Sequence, residues 1–114
     1  MKFKYKKDKE LFWQIDPRLR EIVCKLESFL WQTLDYELTI TSTIRHSHDS
    51  TGIHSCGRAV DIRTRNLSLE MINYLVRWIN KEYPYDSTRP KKVSCIYHSV
   101  GLGWHFHIQV PKRK

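Results

Sequence analysis

Two stretches of the chain repeat apolar residues at helical spacing, and the rest reads as short strands joined by polar loops. Asp16-Pro17 supplies an N-cap followed by proline at the first helical position. Leu19, Ile22, Val23, Leu26, Phe29 and Leu30 then recur every three or four residues, which predicts an amphipathic helix over 17–33. Ser68 caps a second helix over 69–82, with Leu69, Ile72, Leu75, Val76 and Ile79 on its inner face. Segments 37–44, 58–64, 93–98 and 104–110 read as strands, and Gly101 with Gly103 suits a hairpin turn between the last two. Residues 1–14 alternate lysine with aromatics, as an arm or a first edge strand would. Residues 45–57 read as a polar loop, and Pro84 and Pro90 bracket another. The order helix, strand, strand, helix, strand, strand predicts an α+β fold, with two main helices on one face of a mostly antiparallel sheet.

A chain of 114 residues and 13.8 kDa fills one domain. Neither an internal repeat nor a linker divides it, so 1–114 reads as a single domain with a basic arm at 1–14 and a basic tail at 111–114. No apolar run approaches the roughly 18 to 20 residues of a membrane span. The start MKFKYKKDKELFWQ is basic, but no apolar h-region or cleavage site follows. The expectation is a protein made in the cytoplasm without a signal peptide, and a monomer. The net charge is +8, with lysines and arginine concentrated at the two ends. That balance favours anionic polymers as partners: nucleic acid, anionic membrane or bacterial wall polymers. Three cysteines, Cys24, Cys56 and Cys95, without a CxxC pair, argue against a disulfide scaffold, and each reads as a small buried hydrophobe.

The chemistry concentrates in the histidines, none of which precedes residue 46. His46 and His48 read as loop residues. His105 and His107 stand at i, i+2 in a predicted strand, so both face one side about 7 Å apart, while Phe106 faces the core. Asp61 lies between Val60 and Ile62, where an unpaired carboxylate is costly to bury. It needs a cation, and a metal would serve. Two imidazoles and one carboxylate are the ligand set of a catalytic zinc, whose fourth position holds water. The same residues also suit ordinary, satisfied polar positions in a sheet.

His54-Ser55-Cys56-Gly57-Arg58-Ala59-Val60-Asp61 resembles the HxxGxAxD signature of the zinc D-alanyl-D-alanine carboxypeptidase family. That family includes D-Ala-D-Ala dipeptidases and phage L-alanyl-D-glutamate endolysins, and its zinc fold extends to the hedgehog signalling domain. The resemblance spans about 40 to 110. It implies a zinc ion held by His54, Asp61 and a histidine of Trp104-His105-Phe106-His107. In HxH members the second histidine is the ligand, which assigns His107 to zinc and His105 to an acid/base or oxyanion role. Thr41-Ser42-Thr43-Ile44-Arg45 resembles the family's SxxR stretch, which makes Ser42 and Arg45 substrate-binding residues, with Arg45 orienting the peptide. His98, just before the turn into the site strand, is a further acid/base candidate.

Two positions depart from the family pattern. Gly52 stands where a serine often precedes the first ligand. Leu102 or Trp104 stands where many members carry an acidic general base. The implied activity is zinc-assisted hydrolysis of peptide bonds in bacterial peptidoglycan stem peptides, as a D-Ala-D-Ala carboxypeptidase or an endolysin. Anionic wall polymers would be gathered by the basic ends. The implied place of action is the cell wall, and compactness without a leader leans towards a phage-encoded protein. Two other functions are consistent with parts of the pattern. One is a non-catalytic zinc-binding member of the same fold. The other is a basic, DNA-nicking endonuclease with a His-hydrophobe-His metal motif, for which Tyr5 or Tyr97 would be the nucleophile. The second leaves HxxGRAVD unexplained, so nucleic acid is not the expected partner.

Overall fold

The structure is a computed structural model that describes residues 1–44, 53, 56–89, 91–99 and 103–113. Its elements are β1 (Lys2–Phe3), α1 (Lys6–Leu11) with a 3₁₀ turn at Phe12–Gln14, α2 (Pro17–Leu34), β2 (Thr39–Ser42), β3 (Ala59–Arg63), α3 (Leu69–Glu82), β4 (Cys95–Ser99) and β5 (Trp104–Gln109). The α+β class and both long helices follow the sequence expectation. The sheet is mixed: its order is β1-β2-β3-β5-β4, with β1 and β2 parallel and the other three pairings antiparallel. The parallel pair follows from the chain between its strands. Parallel neighbours need a crossover, and α1, the 3₁₀ turn and α2 supply it. Segment 1–14 is thus an edge strand that continues into a short third helix.

Asp16 starts α2 as its composition suggests. Its Oδ1 accepts the Arg18 backbone N–H at 2.9 Å, and its carboxylate also receives the Arg18 side chain. The inner stripe of α2, Leu19, Ile22, Val23, Leu26 and Leu30, is buried, as are Ile72, Leu75 and Ile79 of α3. Leu69 is a correction: expected on the inner face, it is 63% exposed. Helical side chains lean towards the N-terminus, so this first-turn residue covers surface ahead of the helix instead of the layer beneath it. Cysteines are a second correction. Cys95 alone is buried, whereas Cys24 and Cys56 are exposed. Burial pushes the Cys95 thiol up to about 12.

Strand alternation separates the core from the site. Val60, Ile62, Phe106 and Ile108 join the helices in one hydrophobic cluster. Asp61, His105, His107 and Gln109, the residues between them, face the other way. Gly57, inside the family-like octet, has φ +71°, and a Cβ there would meet the Ile15 Cα at 3.3 Å. Its carbonyl accepts the Asp16 N–H at 2.8 Å, so the same glycine ties the start of α2 to the approach to β3.

Asp16 generates a stability prediction. Hydrogen bonding to Arg18 holds its carboxyl at about 2, below its ordinary 3.8. A depressed carboxylate stabilises the fold above its unfolded value and loses that contribution as pH falls through about 2. Asp16→Ala should cost about 2 kcal/mol at neutral pH, from the lost cap and charge pair. In urea titrations the gap from wild type should close as the solution is acidified from pH 3.8 towards about 2.

Candidate metal centre

The sheet face opposite the long helices carries an open cavity of about 840 Å³. Register decides which side chains meet there. Asp61 stands directly across from His107, and His105 stands across from Arg63 on one side and His98 on the other. β2 contributes through a bulge. Ile40 pairs with Ile62, but the next pairing is Ser42 with Asp61, so the extra residue brings Ser42 to the cavity wall beside the carboxylate. Thr43 follows, and Oδ1 of buried Asp8 on α1 accepts its N–H at 3.0 Å and its hydroxyl at 2.6 Å. α1 therefore pins the end of β2 against the site.

Asp61 is 7% exposed, yet its carboxylate is surrounded by imidazoles. Its Oδ1 lies 3.1 Å from His107 Nδ1 and 3.7 Å from His105 Nε2. The other side of the His107 ring faces Gln109, whose Oε1 is 3.0 Å from His107 Nε2. The orientation of that amide is set by its other end, because Gln109 Nε2 donates to the Val93 carbonyl at 2.8 Å. Oε1 can only accept, so His107 Nε2 carries a hydrogen. In the neutral ring the Nδ1 lone pair then points at a carboxylate oxygen. Two acceptors at that separation require a cation between them, either the proton of an imidazolium or a metal ion. Donor atoms around a tetrahedral zinc are separated by roughly 3.3 Å, given bond lengths of about 2.0–2.1 Å. The Asp61–His107 spacing fits that demand.

Nε2 of His98 and Nε2 of His105 are 3.1 Å apart, so one donates and the other accepts. Burial, and then the imidazoles of His105 and His107, hold His98 below its ordinary 6.5 against an opposing pull from Asp61. The five side chains thus form a chain running from Gln109 through His107 and Asp61 to His105 and His98.

His54 and Arg45 lie outside the described residues, as do His46, His48, Gly52 and Leu102. Ile53, just before His54, is buried and lines the cavity. Among the described residues, no three His, Cys, Asp or Glu side chains form a complete metal-holding group. Of the acidic residues at the end of α3 and in the loop after it, neither Glu82 nor Asp86 is among the described lining residues; Asp86 Oδ1 receives the Thr88 N–H and hydroxyl. Tyr5 and Tyr97 both border the cavity, and the Tyr97 ring stacks on Trp104 at 4.9 Å. Lys4 and Lys7, expected in an arm away from the site, line the cavity instead, because β1 and α1 fold against β2. Gln109 was missed, although its place two residues beyond His107 on a strand is a readable same-face spacing. Compared with protein families, curated proteins and solved structures, the chain has no match.

Gln109→Leu removes the acceptor that fixes the His107 tautomer. Zinc affinity should fall by about 10–100-fold, the usual cost of losing a partner that orients a ligand, with the circular dichroism spectrum unchanged. An unchanged affinity in a calorimetric titration would show that the amide does not orient the ring.

Proposed function

We propose that the protein is a zinc-dependent peptidase of the D-Ala-D-Ala carboxypeptidase and endolysin type, acting on peptidoglycan stem peptides with a hedgehog-like zinc fold. The observation that carries this reading is the Asp61 carboxylate set against His107 Nδ1 in an open cavity, in a chain bearing HSCGRAVD. Asp61 and His107 would hold the metal together with His54. A bound zinc supplies Lewis acidity towards the scissile carbonyl and a water of lowered pKa.

The chain's own residues do the rest. His105 Nε2 lies between Asp61 and His98, where it can take or give a proton beside the carboxylate. His98 Nε2, 3.1 Å from His105 Nε2, is placed to exchange a proton with it. Ser42 offers a hydroxyl beside Asp61, and Arg45 orients the peptide through a charge-assisted hydrogen bond. The described cavity walls hold only two carboxylates, Asp61 and Asp8, and Asp8 Oδ1 is engaged by Thr43. Among the described residues, His105 is the side chain placed to take the part that an acidic base plays in the family this chain resembles. The same fact favours, as a second reading, a non-catalytic zinc-binding protein. No helix among the described residues is long and apolar enough to cross a membrane. The basic ends suit attachment to anionic wall polymers, and the cell wall as the place of action and a phage origin belong to this proposal.

Zinc-loaded protein incubated with purified peptidoglycan should release fragments whose masses show cleaved stem peptides, and a chelator should abolish the release. His107→Ala should lose zinc and activity together. His105→Ala should keep zinc and react at least about 10²-fold more slowly. The reverse pattern would move the ligand to His105. Retained zinc with no fragments supports the non-catalytic reading, and nicking of single-stranded DNA supports the nuclease.

A further inference from the structure

Four cationic side chains line the cavity beside the proposed metal centre: Lys4 and Lys7 from the N-terminal segment, and Arg63 and Arg65 from β3 and the residues after it. Among the described residues none of the four is in an ion pair. The Lys4 ammonium lies 5.3 Å from the centre of the Tyr5 ring. Two carboxylates share the described walls, Asp61 beside the imidazoles and Asp8, whose Oδ1 accepts from Thr43 while its Oδ2 has no hydrogen-bond partner, so the cations outnumber them four to two. An excess of cations around a partly enclosed cavity concentrates positive potential and attracts anions.

Their positions say where an anion would sit. Arg63 is two residues along β3 from Asp61 on the same face, about 7 Å away. Lys4 follows β1, its N–H bonded to the Ile40 carbonyl, and Ile40 pairs with Ile62. Lys4 and Arg63 are therefore about two strand spacings apart, roughly 10 Å. An extended peptide advances about 3.3 Å per residue, so a group held by Arg63 lies about two residues from one held at Asp61. The guanidinium suits carboxylate through paired N–H donors. A cavity of about 840 Å³ has the volume of a site for a short peptide, whereas single-stranded nucleic acid needs a longer basic track.

From this, and resting on the peptidase reading, we infer that the site selects acidic peptides carrying a free carboxylate about two residues from the cleaved bond, with Lys4, Lys7, Arg63 and Arg65 as the specificity-determining residues. Stem peptides whose carboxylates are amidated are poor ligands.

The test is an NMR titration of the zinc-loaded full chain with two synthetic peptides of one sequence, Ala-Glu-Lys-Ala with free carboxylates and the same peptide with its carboxylates converted to carboxamides. The acid form should bind at least about 10-fold more tightly at low salt, with a smaller ratio at high salt. The double variants Arg63→Gln with Arg65→Gln, and Lys4→Gln with Lys7→Gln, should each reduce that ratio while retaining zinc and the wild-type spectrum. Equal binding of acid and amide, a ratio unchanged in both variants, or tighter binding of a single-stranded oligonucleotide than of the acid peptide would overturn the inference. Acid selectivity with no fragments released from purified peptidoglycan would sink the peptidase reading and leave the anionic site standing. Peptidoglycan cleavage without acid selectivity would do the reverse.

Discussion

Asp61 and His107 face each other across β3 and β5 with a carboxylate oxygen and a ring nitrogen 3.1 Å apart. Both groups are largely withdrawn from water, and that contact demands positive charge. A buried carboxylate that lost its partner would face a desolvation penalty of several kcal/mol per ion. The surrounding structure is arranged around this demand. Gln109 turns the lone pair of His107 towards Asp61, and Val93 holds Gln109. His105 approaches the same oxygen from two residues earlier on β5. A metal reading and a proton reading both satisfy the pair, and they differ in what the cavity can catalyse.

The fold makes the pair possible by giving each strand two unlike faces. Val60 and Ile62 bury against α2 and α3, and the carboxylate between them is delivered to the opposite side without entering the hydrocarbon core. The helix layer can then be wholly apolar while the site layer is polar and open. The bulge in β2 and the grip of Asp8 on Thr43 bring a third strand and the N-terminal helix to the same cavity. The basic N-terminal residues become part of its wall through that packing alone.

Much of this was legible in the sequence where a local rule operates. Asp16-Pro17 and the Leu19 to Leu30 stripe specify α2, and HxH on a strand specifies two imidazoles on one face. Asp61 stood out as a charge inside an apolar run, and its pairing with an imidazole answers why it is tolerated. What escaped depends on distant contacts. The segment Lys6–Leu11 has no apolar stripe and reads as a charged arm; its one buried side chain, Asp8, is stabilised by Thr43, 35 positions away. Nothing local shows that Lys4 and Lys7 border the site, because that follows from β1 pairing with β2. Gln109 escaped for a different reason: a glutamine near a strand end is ordinary until its Val93 bond is seen.

The central claim is that the cation between Asp61 and His107 is a metal. Anomalous diffraction at the zinc absorption edge, from crystals of zinc-loaded protein at neutral pH, tests it most directly. The account predicts one strong peak between Asp61 Oδ1 and His107 Nδ1, with His107 Nε2 still bonded to Gln109. A structure with no peak there, and the two side chains in direct contact as an imidazolium–carboxylate pair, would contradict it.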